Sequence, residues 1–131
     1  MISINESIAD FIVDTKLLLN CSLTDFSIKS SVELFGYDEV KLSEAKSLLL
    51  IFEELCENPN NENVDKYQEQ NDFLKRNEVE DGQKTTQMQD EILDLLSEWV
   101  SDYKKIVKIA LKDKPHLLEK LGLFEKLFQD T

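Results

Sequence analysis

The sequence predicts an all-α fold: an up-and-down bundle of four main helices with a short C-terminal helical hook. Three observations carry that expectation. Chain breakers are scarce, with three Gly and two Pro in 131 residues, too few for the tight turns of an all-β fold. Apolar residues recur at steps of three and four over long stretches, the period of a helix with one buried face. The stretch from Gln87 to Leu111 has neither Gly nor Pro. It sets Met88, Ile92, Leu95, Leu96, Trp99, Tyr103, Ile106, Val107 and Ala110 along one stripe of a helix with about 3.6 residues per turn. With 41% hydrophobic residues, residues 1–131 suit a single domain around one core.

The first helix is expected over residues 3–20. Ser3 with Glu6 fits a capping box, in which each side chain meets the other's free backbone N–H. Ile4, Ile8, Phe11, Ile12, Thr15, Leu18 and Leu19 make its stripe, and Cys21-Ser22 ends it. The second, over 23–35, has Leu23, Phe26, Ile28, Val32 and Phe35 as its apolar set and Ser22 or Thr24 as its cap. Gly36 follows as the left-handed residue that closes it. Asp38 caps the third, over 39–57, whose stripe is Leu42, Ala45, Leu48, Leu49, Phe52, Leu55 and Cys56. The run Leu48–Phe52 points all round a helix, so it is either covered on several sides or makes a partner contact; burial is the expectation.

Residues 58–86 form a polar connection rich in Asn, Gln, Glu and Asp. Val64, Tyr67, Asn71 and Leu74 keep a faint stripe, which predicts a marginal helix over 61–79; Asn58-Pro59-Asn60-Asn61 before it is either a breaker or a helix start with Pro59 near the first turn and Asn58 as the cap. Glu80-Asp81-Gly82 turns the chain into the fourth main helix, over 87–112. Asp113 then caps the hook, over 114–121. Pro115 is tolerated in its first turn, Leu117, Leu118 and Leu121 face inward, and Gly122 stops it. Leu123, Phe124, Leu127 and Phe128 form a last apolar turn.

Charge excludes some partners. The net charge is −12, and phosphate binding needs clustered Lys and Arg, so neither nucleic acid nor an anionic membrane is an expected partner. The balance is uneven: residues 1–103 hold 23 acids and 8 bases (−15), and residues 104–131 hold 4 acids and 7 bases (+3). Part of this complements the dipole of the long helix, with Asp90, Glu91 and Asp94 near its start and Lys104, Lys105, Lys108 and Lys112 near its end. Cys21 and Cys56 read as reduced thiols rather than a disulfide framework. No basic start followed by a long apolar run is present. The longest apolar run, Leu48–Phe52, is far below the ~20 residues of a spanning helix. The expectation is a soluble, cytoplasmic chain.

Two segments resemble a known family. Phe35-Gly36-Tyr37-Asp38-Glu39 with Leu42, Glu44, Leu48 and Leu49 is one. Trp99, Asp102 and Tyr103, followed by Lys108-Ile109-Ala110-Leu111-Lys112-Asp113-Lys114-Pro115, Leu117, Leu118 and Leu121-Gly122-Leu123, is the other. Both resemble segments of uncharacterised helical-bundle proteins of bacteria, notably of the Bacteroides group, which often carry the unit twice in tandem. One copy is present here. The resemblance covers about a third of the chain, by the residues quoted. It implies the helical fold and a bacterial origin, and it transfers no activity and no functional residue.

Catalytic chemistry finds little support. His116 is the only histidine. It sits in the first turn of the hook, where it reads as a surface residue without a second positioned group. One histidine rules out a Glu-x-x-His di-metal bundle, and Cys21 and Cys56 have no close partner thiols for zinc. With no Gly-rich phosphate loop either, no cofactor and no metal is expected. Trp99, Tyr37 and Tyr103 read as core, with the indole N–H in need of an acceptor.

The sharpest polar feature is the four-step series Asp90, Asp94, Glu98 and Asp102. Like charges at that spacing repel by a few tenths of a kcal/mol per pair. The plain reading is a solvated face with Lys from a neighbouring helix nearby. The functional readings are a basic partner or a weak divalent-cation site, for which one rigid helix is a poor cage. Phe124, Leu127 and Phe128 either close the bottom of the bundle or dock on a partner. Together these features favour a non-enzymatic protein–protein interaction or assembly module, with a homodimer through Leu48–Phe52 or the C-terminal turn as one form. The alternative is an acidic inhibitor or mimic that binds a basic protein surface.

Overall fold

Glu6–Thr24 forms α1, Phe26–Glu33 α2, Glu39–Glu57 α3, Asn61–Gln70 α4, Asp81–Ala110 α5 and Pro115–Lys120 α6. This is a computed structural model that describes residues 6–70 and 81–123. The described residues are all-α, as the sequence predicts. α3 packs against both α1 and α5. α2 leans on α1 and α5, and α4 touches α5 and α3. The core between them is built from Leu18, Leu19, Ile28, Leu42, Leu49, Phe52, Leu55, Ile92, Leu96, Tyr103 and Val107, each at most 1% exposed. Each large aliphatic side chain so buried contributes about 1.5–3 kcal/mol by leaving water.

α1 does not stop at Cys21-Ser22 as expected; it runs one turn further. Ser22 turns inward and its hydroxyl accepts a hydrogen bond from the Tyr103 hydroxyl at 2.7 Å. Thr24 donates back to the Asn20 carbonyl at 2.8 Å. Polar residues therefore continue this helix instead of breaking it.

The expected cap at Ser22 or Thr24 is instead Asp25. Its Oδ1 accepts from the backbone N–H groups of Ser27 at 2.9 Å and Ile28 at 3.2 Å. Its other oxygen holds Lys120 Nζ at 2.8 Å. One carboxylate thus starts α2 and grips the hook, and the Lys120 ammonium, followed by the Ile28 N–H, lowers its pKa. Asp25→Ala should therefore destabilise by about 1–2 kcal/mol, mostly the lost cap, because an exposed ion pair adds little. Asp25→Asn should retain most of that. Urea denaturation of the two variants separates the contributions.

Several other ends also differ from expectation. α4 is capped by Asn60, not Asn58: Asn60 Oδ1 accepts from the Asn63 N–H at 2.8 Å. Asn58 instead offers its carbonyl to Asn63 Nδ2 at 3.0 Å. Val64 and Tyr67 are buried as their stripe predicts, while Asn71 and Leu74 lie outside the described residues. α5 begins at Asp81, so Asp81 and Gly82 are helix rather than turn, and it ends at Ala110. Lys114, not Asp113, precedes α6 and caps it with no side-chain bond. A pre-set φ at Pro115 opens this helix instead. The capping box at Ser3 and the residue Ile4 lie outside the described residues.

The Asp38 cap is as expected, with Oδ1 accepting from the Lys41 N–H at 2.9 Å. So are the two closing glycines. Gly36 (φ 92°) and Gly122 (φ 77°) adopt the left-handed conformation. After Gly36 the Tyr37 N–H reaches the Val32 carbonyl at 3.1 Å, and after Gly122 the Leu123 N–H reaches that of Leu118 at 2.8 Å. Each is the reversed turn that ends a helix at a glycine.

Two expectations about burial are corrected. Phe26 and Phe35 are not part of the inward face of α2; they are 78% and 45% exposed. A two-turn helix has room to bury one pair, and Ile28 and Val32 take it. In the run Leu48–Phe52, burial holds for Leu49, Ile51 and Phe52, but Leu50 points out at 51% exposure.

Candidate groove between α3 and α5

The core stripe of α5 runs through Met88, Ile92, Leu96, Val100, Tyr103 and Val107. Trp99 and Leu95 sit at its edge, half-buried. Trp99 is therefore not the core residue the sequence suggests. It and Leu95 form one wall of a groove of about 370 Å³ whose other residues are Tyr37, Lys41, Glu44, Ala45 and Leu48. α3 provides four of these: Lys41, Glu44, Ala45 and Leu48 follow at three- and four-residue steps, along one line of the helix.

Tyr37 is placed by the Gly36 turn and is half-buried as well. Its ring meets Trp99 edge-on at 5.9 Å and Tyr103 at 5.0 Å. Trp99 in turn stacks on Tyr103, with ring centroids 4.8 Å apart and planes 19° apart. Such pairs add about 0.5–1.5 kcal/mol each beyond area burial. They hold the indole still, with Tyr103 fixed from behind by Ser22. Among the described residues the indole N–H has no acceptor, so the need the sequence identifies is left for water or a ligand. Lys41 Nζ lies 5.6 Å from the Tyr37 ring centre, a cation resting on the aromatic rim.

The acid series lies next to this groove. Asp90, Asp94, Glu98 and Asp102 are all exposed. Four-residue steps overshoot a full turn by about 40°, so the series drifts round the helix as a slanted line. Asp90, Asp94 and Glu98, with Gln87 and Glu91, line an open depression that shares Leu95 with the groove. No ion pair is made by the four acids among the described residues, so the expected lysine cover from a neighbouring helix is not found there. Nor do three His, Cys, Asp or Glu side chains converge as a metal site among the described residues.

The remaining candidates separate from this place. Phe124, Leu127 and Phe128 lie outside the described residues. His116 is exposed on the hook. Cys21 and Cys56 are free thiols; Cys21 Sγ donates weakly to the Lys120 carbonyl at 3.9 Å, and burial, then Glu57 and Glu53, raises the Cys56 pKa. Among the described residues no helix is long and apolar enough to cross a membrane.

The sequence does not mark the groove, because Tyr37, Leu48 and Trp99 all match core patterns. The one local signal was Trp99 directly after Glu98, an indole adjoining the acid series. No protein-family model, no curated protein and no solved structure matches the chain.

Proposed function

We propose that the protein is a non-enzymatic interaction module whose α3–α5 groove takes an apolar side chain from a basic segment of a protein partner. The observation that carries this reading is the position of an aromatic groove, lined by Trp99 and Tyr37, directly beside the acids Asp94 and Glu98, which make no ion pair among the described residues. An apolar anchor would occupy the groove, and Lys or Arg a turn away on the partner would meet the acids. Groove and charge together define an amphipathic, basic segment rather than a small molecule. Nucleic acid and anionic membranes are disfavoured by the same charge. The reading places the protein in a bacterial cytoplasm, in keeping with the resemblance of its 35–49 and 99–123 segments, and it includes an acidic inhibitor that occupies a partner's basic surface.

Trp99 is the only tryptophan, so tryptophan emission reports on the groove alone. Titration with an amphipathic Leu/Lys helical peptide should shift its emission and saturate. Binding should weaken about tenfold or more between low and high salt. Paired reversal Asp94→Lys with Glu98→Lys should weaken it about tenfold or more, and Leu50→Glu, on another face, should leave it unchanged. An unshifted emission, or binding that survives the paired reversal, would rule the reading out.

A further inference from the structure

Phe26, Leu34 and Phe35, on α2 and just after it, are among the large apolar residues left exposed in the described residues, and the groove uses none of them. Phe26 and Leu34, the residue after the helix, are 78% and 86% exposed. With Ser30 between them they follow at four-residue steps, along one line opposite the buried Ile28 and Val32. Phe35, 45% exposed, extends the surface at the Leu34 end. Lys29 and Glu39, 3.7 Å apart, hold the first turn of α3 beside α2. We propose that this face joins two copies of the chain, their α2 helices antiparallel and crossing at Ser30, with Phe26 of each copy against Leu34 of the other.

Three features of the face select a second copy. First, the pattern is self-complementary. A twofold axis through Ser30 exchanges Phe26 with Leu34, as an isologous contact requires. Second, the residue at the crossing is small and already satisfied. The Ser30 hydroxyl donates to the Phe26 carbonyl at 2.9 Å, with the Ser27 carbonyl at 3.4 Å, so covering it strands no polar group.

Third, the charge suits a like-charged partner. From Phe26 to Phe35 the only charged residues are Lys29 and Glu33, and Glu39 beside Lys29 brings the local balance to −1, in a chain of −12. A basic partner gains little on such a face, and a second copy is repelled only weakly there. Lys29 and Glu33 lie along one flank of the helix, and antiparallel pairing brings that flank against its own copy, Lys29 towards the second copy's Glu33.

The size of the face sets the strength. Its three apolar side chains present roughly 400 Å², the size of the largest apolar patch on an ordinary monomer. That is about half of the ~800 Å² per partner in a standard interface, with polar surroundings supplying the rest. A weak, reversible dimer follows.

Sedimentation equilibrium of the full chain tests this. The mass should rise with concentration from 15.2 kDa towards twice that value. Phe26→Asp and Leu34→Asp, both outside the core, should each weaken association at least tenfold with an unchanged helical circular dichroism spectrum. Lys29→Glu alone and Glu33→Lys alone should each weaken it, and an equimolar mixture of the two should restore it. Leu50→Glu should have no effect. A strict monomer at all concentrations, or a dimer that survives Phe26→Asp, overturns the proposal. Failure of the charge-swapped mixture to recover overturns the antiparallel arrangement.

Discussion

Phe52→Ala is expected to destabilise the protein by about 3–5 kcal/mol, the largest loss of any single truncation considered. Phe52 is fully buried on the helix that packs against both α1 and α5. Its removal takes away a large apolar side chain and leaves a cavity that three packed helices cannot close without losing other contacts. Domains of this size are stable by only about 5–15 kcal/mol, so the variant should lie near the edge of folding. The check is urea denaturation, with Leu50→Ala as the matched control on the same helix. Leu50 is 51% exposed and its truncation should fall below about 1 kcal/mol. Similar losses for the two variants would contradict the placement of the α3 faces.

The second large effect is alkaline. Tyr103 is fully buried, and burial first of all pushes its hydroxyl up to about 12; the nearby Tyr37 adds to the rise, and the Ser22 hydrogen bond opposes it. In the unfolded chain the group titrates near 10. Between those values the folded protein holds a proton that the unfolded chain releases, so stability falls as pH rises. The contribution is fully present below about pH 10. It is lost progressively towards pH 12, and two units correspond to about 3 kcal/mol.

Tyr103→Phe should remove this residue's share of the slope. It should also lower stability at neutral pH by about 1–2 kcal/mol, since it leaves the buried Ser22 hydroxyl without that partner. Burial first, then the Glu54 carboxylate that its hydroxyl donates to, raises Tyr67 to about 12 as well, so some slope should persist in the variant. Denaturant midpoints measured across pH 9–12 would decide it: parallel profiles for wild type and Tyr103→Phe would exclude Tyr103 as a source.

These two residues also mark what could be read from the chain. Phe52 and Tyr103 stand in long, regular stripes, where many residues agree on one inward direction, and both are buried as the stripes require. The same holds for Leu42, Leu49, Leu55, Ile92 and Val107. Where few residues vote, the pattern fails. In α2, Phe26 and Ile28 are two positions apart and cannot both face the core; nothing local says that Ile28 wins. Cys21, Ser22, Thr24 and Asp25 could each end one helix or start the next, and the choice depends on Tyr103 and Lys120, 81 and 95 residues away from their partners.

Gln89 shows the same limit from the polar side. It is fully buried because its Nε2 donates to the Leu55 carbonyl at 2.9 Å, closing the end of α3, and no local periodicity marks an amide as core. The groove was illegible for a related reason. The acid series is a property of one helix and could be read directly; the aromatic cavity beside it exists only once α3, α5 and the Gly36 turn meet.

The grip of Asp25 on Lys120 has a consequence for motion. Six residues are too few to hold a helix unaided, so α6 owes its order to Leu117 and Leu121 against the bundle and to a surface ion pair with a carboxylate 95 positions earlier. Its attachment is far smaller than the contacts among α1, α3 and α5. The hook is therefore the least anchored helix of the core: lifting it would bare Leu117 and Leu121 and the seam of α1 around Leu17 and Cys21.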